Sequence, residues 1–221
     1  MRAYLAARAA IGDRELLIYA DEMPEDPRAW DNVGTIVTGR QGRLSLGDRQ
    51  VPDLGDFLLD LAEEVDPTYA NAIDLIGRMI DSESEGFAEA RGALARQSLE
   101  RCCVMLELCW TGRKLFAGDE GADDPSSVDG YIYVPMDRVR EEFRGDRDQA
   151  LGYLRCEVET YSQYLEGDVY RFELYRRPAG ASDDDEGELE DSCGGFYGSD
   201  WAKNGILDYV GSENSDLVEA L

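Results

Sequence analysis

Between Asp146 and Tyr175 the chain spells out a helix, a stop and a strand in thirty consecutive positions. Asp146 with Gln149 three residues later forms a variant capping box. Leu151, Leu154, Val158, Tyr161 and Leu165 then recur at spacings of three and four, which places them on one stripe of a helix over 147–165. Gly167 supplies the stop. From Val169 to Tyr175 the pattern changes to strict alternation, with Tyr170, Phe172 and Leu174 on one side and Val169, Arg171, Glu173 and Tyr175 on the other.

The remaining segments extend this mixture. Glu15–Ala20 and Val33–Val37 read as strands, separated by an acidic, proline-bearing loop over 21–31. Asp53 is a plausible N-cap for a helix whose face carries Leu54, Phe57, Leu58, Leu61 and Val65. Tyr69, Ile73, Ile76 and Ile80 make a second stripe, and 83–100 is expected to be helical. The nearly unbroken apolar run Cys102–Trp110 suits a central strand covered on both faces. Tyr131–Val134 is a strand, and Pro135 opens a helix carrying Val139 and Phe143. Strands and helices do not alternate regularly enough for a doubly wound sheet. The expected fold class is α+β: a mostly antiparallel sheet covered by helices, in a single domain over 1–221. A mobile acidic loop at about 177–191 is expected, because blocks of like charge stay solvated. A short C-terminal segment would pack back on the domain.

Charge restricts function more than fold. Forty-eight Asp and Glu face twenty-two Lys and Arg, a formal net charge of −26, and histidine is absent. Such a field repels nucleic acid, anionic lipid and phosphorylated substrates, so direct nucleic-acid binding and membrane association are not expected. Without histidine the usual general base, zinc ligand and pH switch are missing. Hydrophobic residues still make up 43%, enough for a core. No apolar run approaches the roughly 20 residues that span a bilayer, and the opening residues do not resemble a secretory signal. Five cysteines in no framework spacing fit reduced thiols and a cytoplasmic location. Lys114 and Lys203 are the only lysines, a bias that a GC-rich genome or adaptation to high salt would also produce.

Catalytic patterns fail in turn. Cys193 in Ser192-Cys193-Gly194-Gly195 has no histidine to activate it. Gly34–Gln41 has the glycine spacing of a phosphate loop but lacks its Lys-Ser/Thr. Asp183, Asp185 and Glu188 do not match a calcium loop. No catalytic residue, metal ligand or cofactor is assigned. One constellation stays open for carboxylate or metal chemistry: Asp31, Asn32, Asp48, Glu157 and Asp168 converging on one cleft. The other local signal is aromatic: Phe196, Tyr197 and Trp201 among glycines and acids, and Trp30 beside Asp31 and Asn32. Such rings either anchor a binding surface or pin the C-terminal segment to the core.

Several stretches together resemble a family of small, acidic, uncharacterised proteins of phages, plasmids and other mobile elements. They are Trp30-Asp31-Asn32-Val33-Gly34-Thr35, Leu46-Gly47-Asp48, Asp129–Val134, Glu157–Tyr170, Asp191–Gly198 and Asn204–Tyr209. Relatives carry histidines where this chain has Arg43, Gln50 and Trp110–Arg113, so any histidine chemistry of the family is lost here. The resemblance implies a mobile-element setting and supplies no reaction.

The expected function is therefore non-enzymatic: an acidic protein that imitates DNA and inhibits a cationic, nucleic-acid-binding host defence protein. The partner-binding residues expected for it are Asp183, Asp184, Asp185, Glu186, Glu188, Glu190 and Asp191, with Trp30, Asp31, Asn32, Phe196, Tyr197 and Trp201. Two alternatives stand beside it: a salt-adapted accessory or ligand-binding protein without mimicry, and a carboxylate- or metal-dependent enzyme.

Overall fold

The computed structural model describes residues 4–39, 46–117, 128–177 and 187–221. It is an α+β protein. The sequence reading treats 1–221 as one domain; the chain divides into two compact units, one formed by 1–30 with 160–221 and the other by 31–159.

The first unit is built on an antiparallel sheet in the order β1-β2-β8-β9. Its strands are β1 (Leu5–Ile11), β2 (Arg14–Ala20), β8 (Val169–Arg176) and β9 (Glu188–Tyr197). The alternation in 169–175 holds for one face: Phe172 and Leu174 are buried and Tyr170 packs beside them, while Val169, on the other face, is fully buried as well. They meet Leu16 and Ile18 of β2, together with Ile206 of α6 (Ile206–Tyr209) and Leu217 and Val218 of α7 (Ser215–Glu219). Fully burying side chains of this size contributes roughly 1.5–3 kcal/mol each, so the C-terminal residues are part of this core.

The acidic loop expected over 177–191 is corrected in part. Glu188–Asp191 belong to β9 and pair with β8, Arg176 opposite Glu188 and Leu174 opposite Asp191. Like-charge repulsion is offset there by Arg176, whose Nε lies 2.5 Å from Glu190. Residues 178–186 lie outside the described residues. Further along β9, Gly195 is the extra residue of a bulge between the pairs Tyr170–Phe196 and Arg171–Gly194, and its φ of 85° is a conformation that glycine takes without strain.

The second unit holds a five-stranded sheet in the order β4-β3-β7-β5-β6. Its strands are β3 (Thr35–Gly39), β4 (Arg49–Val51), β5 (Cys103–Thr111), β6 (Lys114–Ala117) and β7 (Gly130–Pro135). All pairs are antiparallel except β3 with β4. One face is covered by α1 (Leu54–Val65), α2 (Pro67–Gly77) and α3 (Glu85–Cys102), where Phe57, Leu61, Tyr69, Ala95 and Leu99 pack on Val37, Val51 and Cys103. The unit also contains α4 (Met136–Phe143), and the unit boundary falls within α5 (Arg147–Glu166). Leu154 of α5 is fully buried, and a Cβ on Gly34 would stand 2.5 Å from its Cδ2 and 2.8 Å from Ile132. Any side chain there would have to displace both.

Local signals hold well. Asp53 caps α1, accepting from the Asp56 amide at 2.9 Å, and Asp146 accepts from the Gln149 amide at 3.0 Å. Three expectations shift. The helix bearing Tyr69 ends at Gly77, so Ile80 lies beyond it and is exposed. Pro135 is the N-cap of α4 rather than its first residue. Glu107 interrupts the covered run of β5 by facing solvent.

Candidate functional site

The acids that stand out in the sequence motifs are occupied with backbone. Glu157 of α5 accepts from the amides of Val33, at 2.7 Å, and Gly34, at 3.1 Å, just before β3 begins. Asp48 accepts from the Ile36 amide at 2.7 Å, and Asp129 from the Trp110 amide at 2.7 Å. In the first unit Asp21 accepts from Gly195 at 3.1 Å, across the bulge. The Asn204 side chain donates to the Gly198 carbonyl at 2.9 Å, while Gly198 donates to the Asp168 carbonyl at 2.8 Å. A carboxylate bonded to backbone amides holds the chain in place and leaves fewer lone pairs for a metal or substrate.

The constellation left open for catalysis is divided between the units, Asp168 in the first and Asp31, Asn32, Asp48 and Glu157 in the second. Asp48 and Glu157 bind different amides, and the Asp31 side chain is fully exposed, with Arg138 at 3.5 Å. Asp168 accepts from the Tyr170 hydroxyl at 2.7 Å. Burial, and then that bond, pushes the Tyr170 phenol up to about 12. No group of three or more potential metal-ligating side chains occurs among the described residues.

The expected partner-binding residues divide into several environments. Asp183, Asp184, Asp185 and Glu186 lie outside the described residues. Glu188, Glu190 and Asp191 are exposed along β9, an edge strand. Phe196 must be withdrawn from the binding set: it is buried, with its ring 5.7 Å from Phe172 and 5.4 Å from Tyr209, and it is a core residue. Trp201 is half-buried edge-on against Tyr170 at 4.8 Å, consistent with pinning the C-terminal segment. Trp30 remains exposed, its ring edge-on to Tyr197 at 5.3 Å. The Tyr197 phenol is pushed up to about 12, by burial first and then by the nearby carboxylates Glu25 and Asp21. Asn32 is half-buried in the second unit.

Some acids of the first unit are neutralised locally. Glu15 is held between Arg8, at 2.5 Å, and Arg177, at 2.8 Å, and Arg176 bridges Asp13 and Glu190. Glu188 and Asp191 have no such cation among the described residues.

A feature that the sequence reading missed lies on α1. Asp53, Asp56, Asp60 and Glu63 are all exposed and are spaced three, four and three residues apart, so they form one stripe opposite the buried Phe57, Leu61 and Ala62. Glu64 flanks it, and α1 contains no basic residue. The same periodicity that revealed the apolar stripe would have shown this one. At 1.5 Å rise per residue, four charges span roughly 15 Å, or one per about 5 Å. One strand of duplex DNA carries one charge per about 3.4 Å of axis. The stripe is therefore somewhat sparser than a phosphate strand and matches a short stretch of one.

No protein-family model matches the chain, and neither does any curated protein or solved structure. No helix of the described residues is long and apolar enough to cross a membrane.

Proposed function

We propose that the protein is a non-catalytic acidic interaction protein, which docks on a cationic, nucleic-acid-binding host protein in the manner of a DNA mimic. The setting proposed is a mobile element in the host cytoplasm. The observation that carries this reading is the uninterrupted carboxylate stripe of α1, which contains no neutralising base. The acidic edge of β9 adds a second exposed row. The use of Asp48, Asp129 and Glu157 to hold backbone amides supports a structural rather than catalytic role for the motif acids.

A specific observation favours the salt-adapted alternative. The first unit has twenty-one acidic and eight basic residues and the second has twenty-seven and fourteen, so each carries −13. Charge carried by both units, rather than confined to one docking face, is what a solubility charge produces.

The test is affinity capture from host lysate at low and high salt, with wild type and with Asp56→Asn/Asp60→Asn/Glu63→Gln. These three side chains are exposed, and Asp53 is spared because it caps α1. Mimicry predicts a captured nucleic-acid-binding protein that duplex DNA displaces, that releases at high salt and that the triple variant no longer holds. Capture indifferent to DNA and to the triple variant would refute it. An empty capture with stability rising steeply with salt would favour the salt-adapted reading.

A further inference from the structure

Within the second unit, α1, α3 and the sheet line a solvent-open cavity of about 760 Å³. That is the size of a small-molecule site. Its floor is apolar, made by Leu59, Leu99, Met105 and the ring of Tyr131. Its wall on α3 is low because position 92 is glycine. Nothing in the fold requires glycine there: Gly92 is in the middle of an 18-residue helix, is not among the positive-φ residues, and a Cβ on it would meet no atom within 4 Å. A mid-helix glycine costs about 1 kcal/mol relative to alanine, and the effect of it here is open space.

The polar groups around this floor are mostly anionic. Asp53, Asp56, Glu100 and Glu107 line the cavity against two arginines, Arg96 and Arg147. Arg147 is already committed, donating to the carbonyls of Glu100, at 2.9 Å, and Cys103, at 2.6 Å. Glu107 on β5 and Tyr131 on β7 are direct cross-strand partners, so a carboxylate and an aromatic ring stand side by side on the same sheet face. An aromatic face beside a carboxylate is the chemistry that holds an ammonium group.

We propose that this cavity binds an organic ammonium ion with an apolar, ring-bearing body, its cationic end against Glu107 and Tyr131 and its body over Leu59, Leu99 and Met105. Asp53 and Asp56 are shared with the α1 stripe, but the inference does not rest on the mimicry reading, and the variants that test it leave that stripe intact. Arg96 opposes the ligand charge, so its removal should strengthen binding.

The test is calorimetric titration of the full chain with tryptamine as probe, beside neutral tryptophol and anionic indole-3-propionate, in 0.1 M and 0.5 M salt. One saturable site is expected, at least tenfold tighter for tryptamine than for tryptophol, with no binding of the propionate. Gly92→Leu fills the cavity from a position with room for it. It should fold with an unchanged or higher melting temperature and lose tryptamine at least tenfold. Glu107→Gln should weaken the site severalfold, and Arg96→Gln should tighten it. The proposal is overturned if tryptamine does not bind or binds no better than tryptophol. It is equally overturned by binding that has many sites, vanishes at 0.5 M salt and is the same in Gly92→Leu, which is general attraction to an acidic chain.

Discussion

Replacing Asp66 by asparagine should remove a pH-dependent clamp on the helical layer of the second unit. Asp66 is both the last cap of α1 and the N-cap of α2, and it is buried. One carboxylate oxygen accepts from the Thr68 amide at 3.0 Å and the Thr68 hydroxyl at 2.7 Å. The other accepts from the Ser98 hydroxyl of α3 at 2.7 Å and pairs with Arg101. The Ser98 bond, opposed by burial and helped by Thr68 and Arg101, lowers the Asp66 carboxyl from 3.8 to about 2. Each pKa unit is worth about 1.36 kcal/mol, so the ionised form stabilises the fold by roughly 2 kcal/mol. The folded pKa is depressed, so this contribution is complete above the unfolded value near 4 and is lost as pH falls toward about 2. In urea titrations, Asp66→Asn should be roughly 2–3 kcal/mol less stable than wild type at pH 7, and the gap should close between pH 4 and pH 2. Acid effects common to both chains cancel in the difference. A gap that stays constant down to pH 2.5 would refute the assignment of the charge to Asp66.

Three further outcomes follow from the contacts. Glu157→Ala removes both oxygens that accept from the Val33 and Gly34 amides, and should cost about 1–3 kcal/mol in chemical denaturation with the helix content of the native state unchanged. Gly198 has φ 86°, and an added Cβ would lie 2.6 Å from Gln163 Nε2, so Gly198→Ala should lower stability by about 1–3 kcal/mol in the same assay. Burial, and then the neighbouring Cys102, push the Cys103 thiol up to about 12 while Cys156 is exposed, so iodoacetamide at pH 8 should label Cys156 early and Cys103 only after unfolding, as peptide mass mapping would show.

What could be read in advance was local. Asp53 and Asp146 announce their helices because a cap and its periodic face lie within a few residues of each other. Phe172 and Leu174 announce a buried strand face for the same reason. The turn after α2 was hidden because Ile80 continues the four-residue spacing, although Arg78 already caps the helix at its C-terminal end. The strand at Glu188–Asp191 was hidden because repulsion within the acid run is visible in the sequence, while Arg176 arrives from another strand. The carboxylate staples were the least legible: Glu157 and Val33 are 124 positions apart, and no spacing rule joins them. Phe196 shows the limit for binding sites, since an aromatic among glycines looks the same whether it anchors a partner or fills a core.

The sheet of the first unit stops at β9, and among the described residues one side of that strand pairs with no other strand. At neutral pH its glutamates and aspartate act as a guard rail, because a second copy bringing up the same row would meet its own sign. Without those charges the bare hydrogen-bonding rim is free to zip onto another molecule. Light scattering should then rise in Glu188→Gln/Asp191→Asn while the circular dichroism of the fold stays that of wild type.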